Sequence, residues 1–149
     1  MAMPRTVRIT RDGVEFISNI DRTQYTLKQL QMAALREVGK LIRKRVMQQA
    51  KSQVGMKRSK RIMKSFQYWA RKREVDLQVG IKHNTWYGIE QELGTRGQRR
   101  KAILMNAVFE NIDDIRRIMG VYISSIEDMN RAEGLISEDA NEQGGDDDE

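Results

Sequence analysis

The sequence contains no cysteine and no long apolar run. Without cysteine, the chain forms neither a disulfide framework nor a thiolate metal site. No apolar stretch approaches the roughly 20 residues that a membrane-spanning helix needs, and residues 1–10 lack the apolar centre of a signal peptide. We therefore expect a protein made in a reducing cytoplasm, without a leader and without a membrane partner.

Side chains suited to catalysis are also scarce. His83 is the only histidine, and Glu90 and Glu92 follow it at a spacing that matches no catalytic motif. Asp113 and Asp114 are neighbours on a predicted helix, so their side chains point about 100° apart. No glycine-rich phosphate loop follows a strand. We expect no enzyme, no cofactor and no bound metal; a metal-dependent nuclease built on His83 is the enzymatic alternative.

The charge is divided unevenly along the chain. Residues 127–149 hold ten acids and one arginine, a net charge of −9, whereas residues 1–126 hold 26 lysines and arginines against 11 acids, or +15. Such a body favours a polyanion or an acidic protein surface as partner. Four basic clusters carry much of this charge: Arg43 to Arg45, residues 57–61, Arg71 to Arg73, and Arg99 to Lys101. Contacts from such clusters to phosphates would be salt-sensitive and blind to sequence.

Two segments have the alternating pattern of β-hairpins. Residues 5–19 place Asp12-Gly13, a tight-turn dipeptide, between two alternating runs, which sets Ile9 opposite Phe16. Residues 65–82 form the second, with a loop at residues 71–74. Its alternating apolar positions are Phe66, Tyr68 and Ala70, then Val75, Leu77, Val79 and Ile81. We expect Phe66 and Tyr68 in the core and Trp69 exposed as a contact residue.

Two long helices are predicted, over about residues 26–54 and 101–126. Thr26 is the expected N-cap of the first and Gly55 its stop, and Gly39 inside it indicates a close approach by another element. Its apolar stripe is Leu27, Leu30, Ala34, Val38, Leu41 and Ile42, and its basic side carries Lys28, Arg36, Lys40, Arg43, Lys44 and Lys51. The second helix has the stripe Leu104, Val108, Ile112, Ile115, Met119, Tyr122 and Ile126.

Strands and helices are grouped rather than alternating, which is typical of an α+β fold. We predict a small antiparallel sheet of hairpins packed by the two helices, in a single domain over residues 1–128. A short helical segment over Trp86 to Leu93 and a flexible basic loop over residues 94–100 connect the second hairpin to the last helix. The acidic, glycine-containing residues 129–149 are expected to form a disordered tail.

The segment from Tyr87 to Thr95 is the most informative. An apolar pair, Tyr87 and Leu93, followed by Gly94-Thr95 indicates a short docked element and a sharp turn. With Glu92, it resembles the Tyr-x-x-x-x-Glu-Phe-Gly-Thr signature of head–tail joining proteins of tailed bacteriophages, the neck or tail-completion proteins of siphophages and prophages. Leu93 stands where that family usually has phenylalanine.

The resemblance covers about residues 25–125. The first long helix, the basic segment with Ile62 and Ser65, and the strand from Val75 to Ile81 are similar to the family's consecutive elements. The last helix is similar too, although the proline-containing segment that often precedes it is replaced by residues 99–104. The N-terminal hairpin and the acidic tail lie outside the resemblance.

The resemblance implies a structural virion protein. Its subunits would form a homo-oligomeric ring at the head–tail junction, between the portal or connector side of the DNA-filled head and the tail. We hypothesise that the acidic tail, or Glu90 and Glu92, meets a basic cluster of the adjacent subunit. Arg96, Arg99, Arg100 and Lys101 are then candidates for contact with packaged double-stranded DNA in the lumen, or for the subunit interface. The alternative function is that of a sequence-nonspecific nucleic-acid-binding protein.

Overall fold

The computed structural model describes residues 3–52, 64–82, 86–97 and 99–143, without the side chains of residues 86, 87, 129, 142 and 143. The fold is α+β, as predicted, and contains two separate two-stranded antiparallel sheets. The strands are β1 Val7–Arg11, β2 Val14–Ser18, β3 Phe66–Arg71 and β4 Asp76–Ile81. The helices are α1 Ile20–Ser52, α2 Trp86–Leu93, α3 Ile103–Glu110, α4 Ile112–Ser124 and α5 Met129–Gln143, with a 3-10 turn at Ser125–Glu127.

The chain forms two compact units, which are described separately. The terminal unit comprises Met1–Ala33 and Val121–Glu149, and the central unit comprises Ala34–Gly120. The single domain over residues 1–128 stays a prediction, because a compact unit is not by itself an independently folding domain. Among the described residues, no helix combines the length and the apolar character that crossing a bilayer requires.

The β1–β2 hairpin of the terminal unit confirms the predicted turn and register. Asp12 and Gly13 have φ values of 51° and 80°, as a tight two-residue turn between right-twisted strands requires. Ile9 pairs with Phe16 as predicted. The expected packing on a helix is not found, however: every residue of the two strands is exposed except Ser18, which is half-buried.

Helix α1 begins at Ile20, so the prediction that Thr26 is its N-cap was wrong. Thr26 lies inside the helix, where its hydroxyl donates to the carbonyl oxygen of Arg22 at 3.0 Å. A threonine satisfied by the carbonyl four residues earlier fits within a helix, so the residue type alone does not mark a boundary. The described part of α1 ends at Ser52; the predicted stop at Gly55 and the basic segment 57–61 lie outside the described residues.

The C-terminal segment differs from the expected disordered tail, because α5 occupies Met129–Gln143. The Asp128 carboxylate caps this helix: its Oδ1 accepts from the backbone N–H groups of Asn130 and Arg131 at 3.0 and 3.3 Å. Ala132 is fully buried, and an ion pair of 3.0 Å joins Arg22 of α1 to Glu133. Residues 144–149 lie outside the description.

The core of the central unit lies between α1, the β3–β4 hairpin and the first two helices after the basic loop. Its buried apolar residues are Val38, Ile42, Val46, Ala50, Phe66, Ile103 and Ala107. Half-buried apolar side chains surround them: Leu77, Val79, Ile81, Leu104, Val108, Ile115, Ile118 and Met119. In the predicted stripe of α1, four residues are buried and two, Leu27 and Leu41, are half-buried. Ile103 and Ala107 were missing from the predicted stripe of the last helix, whereas Ile126, which was included, is exposed.

The β3–β4 hairpin confirms the predicted alternation, with Phe66 opposite Ile81 and Tyr68 opposite Val79. Its turn is shifted by one residue from the prediction, because Arg71 still pairs with Asp76 in the ladder. Val75, assigned to the strand from its apolar character, instead lies in the turn with φ 53°.

Gly39 of α1 confirms the predicted close approach. A Cβ on Gly39 would lie 2.7 Å from Cγ of Tyr68, which is closer than carbon atoms pack without displacement. The Tyr68 ring therefore lies directly against the backbone of α1.

The predicted last helix is interrupted at Asn111. The Asn111 side-chain amide donates to the carbonyl oxygen of Ala107 at 2.7 Å, and its backbone N–H bonds Val108 instead, at 3.2 Å. The side chain thus occupies the acceptor that a continuous helix would use, and the backbone departs from helical values at φ −112° and ψ 20°. Helix α4 restarts one residue later.

Candidate functional site

The residues of the Tyr87–Thr95 signature lie on α2 and at the start of the loop that follows it. Helix α2 confirms the predicted helical segment over Trp86–Leu93. The backbone of Tyr87 belongs to this helix, while its side chain lies outside the described residues. The signature therefore consists of one short helix and the turn that ends it.

Gly94 ends α2 with a conformation and a packing that both favour glycine. Its φ is +80°, and its N–H donates to the carbonyl oxygen of Glu90 at 2.7 Å. A Cβ at this position would lie 2.9 Å from the backbone nitrogen of Arg100, on the returning end of the loop. The backbone N–H of Lys101 donates in turn to the carbonyl oxygen of Gln91 at 2.9 Å. The basic loop is thus fixed to α2 at both of its ends.

Glu92 links α2 to α3 through its carboxylate. One oxygen accepts from the N–H of Leu104 at 3.0 Å and the other from the N–H of Met105 at 3.1 Å. These groups belong to the first turn of α3, whose preceding residue, Ala102, has φ 48° and no side chain that could cap the helix. A carboxylate at this point satisfies two unpaired donors and interacts favourably with the helix dipole. Glu92 is therefore a structural residue that positions two helices.

Large apolar side chains on both helices beside this link are exposed to solvent. Ile89 and Leu93 are one turn apart on α2 and are 46% and 66% exposed. Met105 and Phe109 are one turn apart on α3 and are 41% and 64% exposed. We call these four side chains the junction surface. Phe109 and Met105 lie off the predicted apolar stripe, and this was the sequence signal that could have identified them as exposed.

The basic loop presents its arginines to solvent. Arg96, Arg99 and Arg100 are exposed, and Lys101 is half-buried. Arg100 contacts the sulfur of Met105 at 3.2 Å, which brings one guanidinium to the junction surface. Thr95 is exposed at the start of the loop. The structure thus brings the signature residues and the loop cations together in one part of the central unit.

The other basic clusters are partly used within the fold. Arg45 pairs with Asp114 at 3.5 Å, and Arg71 forms a two-contact ion pair with Asp76. Arg43 donates to the carbonyl oxygen of Phe66 at 3.2 Å. A cationic face remains on α1, where a shallow groove is lined by Lys40, Arg43, Lys44, Met47, Gln48 and Lys51.

The sequence candidates for a metal or catalytic site were His83, Glu90, Glu92, Asp113 and Asp114. Within the described ranges, no three histidine, aspartate or glutamate side chains converge as metal ligands. His83 lies outside those ranges. Glu92, its candidate partner, has its carboxylate engaged by backbone donors, and Asp113 and Asp114 form ion pairs with Arg116 and Arg117 at 3.6 and 2.8 Å.

Trp69 is 67% exposed, in agreement with its predicted position on the outer face of β3. It lies opposite Gln78 in the ladder. It is remote in sequence from the signature and provides an exposed aromatic reference for the junction surface.

No family model, no curated protein and no solved structure matches this chain.

Proposed function

We propose that this chain is a structural protein of the neck of a tailed bacteriophage. Copies of it would form a homo-oligomeric ring that joins the DNA-filled head, on its portal or connector side, to the tail. The observation that supports this proposal best is the linkage of α2 and α3 by Glu92, with exposed apolar side chains on both helices beside it.

The roles of the signature residues suit a protein that works by contact. Glu92 and Gly94 hold backbone segments together, so the signature specifies a shape rather than a reaction. Leu93, between them, is exposed. A group of large exposed apolar side chains on a small protein is typical of a surface that another protein covers.

In this proposal the arginines of the basic loop supply a second contact, with the packaged duplex. Arg96 and Arg99 form no ion pair with any acidic side chain in the described part of the chain. A lumenal loop would bind phosphates without reading sequence, and its contacts would weaken as salt rises.

The decisive experiment is deletion of the gene from the phage or prophage genome in which this proposal places it. We expect filled heads and finished tails that are separate in electron micrographs, and joined particles when the gene is restored. Joined, infectious particles without the gene would contradict the proposal.

A point variant tests the junction surface in the same assay. Leu93→Ser removes an exposed apolar side chain and should leave the fold intact while reducing the yield of joined particles. Trp69→Ser is the matched control, because Trp69 is exposed to the same degree on another element. Equal losses with both variants would argue against a specific role for the junction surface.

The cationic face of α1 favours a second candidate function, sequence-nonspecific nucleic-acid binding. Lys40, Lys44 and Lys51 are spaced along one side of the helix, as in a surface that follows a phosphate backbone. Duplex binding should then weaken steeply with salt, and Lys44→Glu with Lys51→Glu should weaken it more than Arg99→Glu with Arg100→Glu. Duplex binding by a monomer that forms no larger assemblies would favour this candidate over the neck.

A further inference from the structure

The outer face of the β3–β4 hairpin contains an open groove beside Trp69. Its volume is about 410 Å³, which lies in the range of sites for small ligands. Alternation along the strands places Trp69 and its pair Gln78 on the face away from the core. Gln67 and its pair Gly80 lie beside them on the same face, and Lys82 lines the end of the groove. An aromatic ring, two amides and an ammonium group thus surround one opening.

Gly80 leaves the floor of this groove open. A Cβ on Gly80 would meet no atom within 4 Å, so the ring of Trp69 does not lie over the glycine. The Trp69 side chain is 67% exposed. Glycine inside a strand often marks a place where a ligand approaches the backbone closely. An exposed indole ring next to an open floor suits a flat group that stacks on the ring.

The polar groups of the groove are available to a ligand. Gln67 and Gln78 are exposed, and their amides form no hydrogen bond with any group in the described part of the chain. Each amide offers two donors and an accepting oxygen. The edge of a nucleobase presents the complementary donors and acceptors. The edge of a sugar ring presents hydroxyl groups to the same amides, so charge has to distinguish the two ligands.

The charge around the groove favours a ligand that carries phosphates. Residues 64–82 hold five lysines and arginines and two acids. Both acids, Glu74 and Asp76, contact Arg71, which leaves no acid of this segment to repel an anion. The other four cations have no ion-pair partner in the residues that the structure describes: Lys64, Lys72, Arg73 and Lys82.

These four cations lie at the two ends of the groove. At one end the backbone N–H of Lys82 donates to the carbonyl oxygen of Ser65 at 2.9 Å, which brings the Lys82 and Lys64 segments together. At the other end Lys72 and Arg73 are exposed in the turn between β3 and β4. A chain of phosphates that crosses the face would therefore meet cations on both sides of the aromatic ring.

We propose that this groove binds single-stranded nucleic acid. A base stacks on Trp69, the two amides contact its edge, and the flanking phosphates contact Lys82 at one end and the turn at the other. The bases of a duplex are already paired and stacked, so the groove selects single strands, unlike the cationic face of α1. Every base has a flat face, so the site tolerates any sequence. The inference goes beyond the neck function and does not depend on it.

Oligonucleotide binding to the full-length protein provides the test. The probes are a labelled oligothymidylate of about ten nucleotides, an abasic strand of the same length and a duplex. We expect the oligothymidylate to bind about tenfold more tightly than the abasic strand, because only the former has bases to stack. Trp69→Ala should remove this advantage and leave the affinities for the abasic strand and the duplex unchanged.

Tryptophan fluorescence gives a second readout of stacking. Oligothymidylate should quench the emission of the wild-type protein and should quench that of Trp69→Ala much less. Phe16→Ala is the matched control, because Phe16 is an aromatic residue exposed to a similar degree on the other hairpin. It should bind oligothymidylate as the wild type does.

Two further variants test the floor and the charge of the groove. Gly80→Val fills the open floor without meeting another atom at Cβ, and valine is favoured in strands. It should therefore fold normally and bind oligothymidylate several-fold more weakly. Lys82→Ala should lower the slope of log affinity against log salt by roughly 0.7, as expected for the loss of one phosphate contact on a single strand.

Three results would overturn the proposal. These are equal affinity for the oligothymidylate and the abasic strand, unchanged binding by Trp69→Ala, and tighter binding of a neutral oligosaccharide than of the oligothymidylate. The gene deletion tests the neck function separately. Unjoined particles after deletion, without oligothymidylate binding, would support the neck function and contradict this inference. Joined particles together with base-dependent binding would have the opposite meaning.

Discussion

The two hairpins of this protein have nearly the same construction and opposite surroundings. Each consists of two short antiparallel strands of alternating pattern, joined by a two-residue turn in the first hairpin and by a four-residue turn in the second. Phe66 of β3 is 2% exposed, whereas Phe16 of β2 is 60% exposed. One hairpin forms part of a core, and the other presents an apolar face to solvent.

The difference comes from what lies against each hairpin rather than from the strands themselves. Val38, Ile42 and Val46 of α1 pack with Phe66, and the glycine at position 39 lets the Tyr68 ring reach the helix backbone. No residue of β1 or β2 is buried. Alternation therefore predicts pairing and the identity of the apolar face, but the cover of that face depends on residues far away in sequence or on another molecule.

The largest expected effect distinguishes the buried phenylalanine, Phe66, from the exposed one, Phe16. Phe66→Ala should lower the free energy of unfolding by about 3–5 kcal/mol, because it leaves a cavity in the core of the central unit. Phe16→Ala should change it by no more than about 0.5 kcal/mol. Urea titration at low protein concentration, where self-association is minimal, measures both.

A concentration series sharpens the same comparison. If a second copy covers the hairpin, Phe16→Ala should lower Tm only at high concentration, because association stabilises the folded chain by mass action. A large loss at every concentration would mean that Phe16 is covered within its own chain, and the comparison would fail.

The second prediction concerns the contact that distinguishes the covered hairpin. Gly39→Ala should destabilise the protein by about 1–3 kcal/mol, because the added methyl group overlaps the Tyr68 ring. Gly120→Ala is the matched control in α4, where nothing lies within 4 Å of the new Cβ. It should stabilise by up to about 1 kcal/mol.

The cause is tested by repeating Gly39→Ala in a Tyr68→Ala background. There the destabilisation should largely disappear, since the overlapping ring is gone. If Gly39→Ala still destabilises the protein in this background, the cause would be a contact of α1 other than the one with the Tyr68 ring.

Local chemistry was sufficient to predict several of these features. Asp12-Gly13 specified a turn, alternation specified both hairpins, and a glycine at position 39 indicated close packing; each signal resides in a few adjacent residues. The start of α1 was missed because Thr26 bonds back within the helix. The break at Asn111 was missed because a side-chain amide replaced one backbone bond.

Other features were not predicted because they depend on contacts between residues distant in sequence. Helix α5 was missed because acidic composition obscured the spacing of Ala132, Leu135 and Ile136, of which Ala132 is buried and the others half-buried. The role of Glu92 depends on backbone N–H groups that lie 12 and 13 residues further along the chain. The Tyr87–Thr95 segment does not include these donors, so the segment alone does not reveal the contact. The Tyr87–Thr95 segment could thus be singled out from the sequence, whereas the contacts of Glu92 required the structure.

The smallest expected effect compares the ion pairs of the two hairpins. Arg71 Nε donates to Asp76 Oδ1 at 2.7 Å, and a second contact joins the same groups. These hydrogen bonds, opposed by desolvation and aided by the charge of Arg71, hold the pKa of Asp76 below its usual value. In the β1–β2 hairpin, Arg8 and Glu15 approach only to 4.0 Å.

A lowered pKa in the folded state fixes the direction of the pH dependence. As pH falls, Asp76 binds a proton in the unfolded chain near pH 3.9, whereas in the folded chain it does so only at a lower pH. The ion pair therefore contributes its full stabilisation above pH 3.9. This stabilisation is lost as pH falls through the pKa of Asp76 in the folded state. Asp76→Asn should therefore lower stability slightly at pH 7 and flatten the decline between pH 5 and 2. Glu15→Gln should change the profile less, because its carboxylate has a single long contact. Thermal unfolding across this pH range measures both variants, and a larger change for Glu15→Gln would reverse the ranking of the two hairpins.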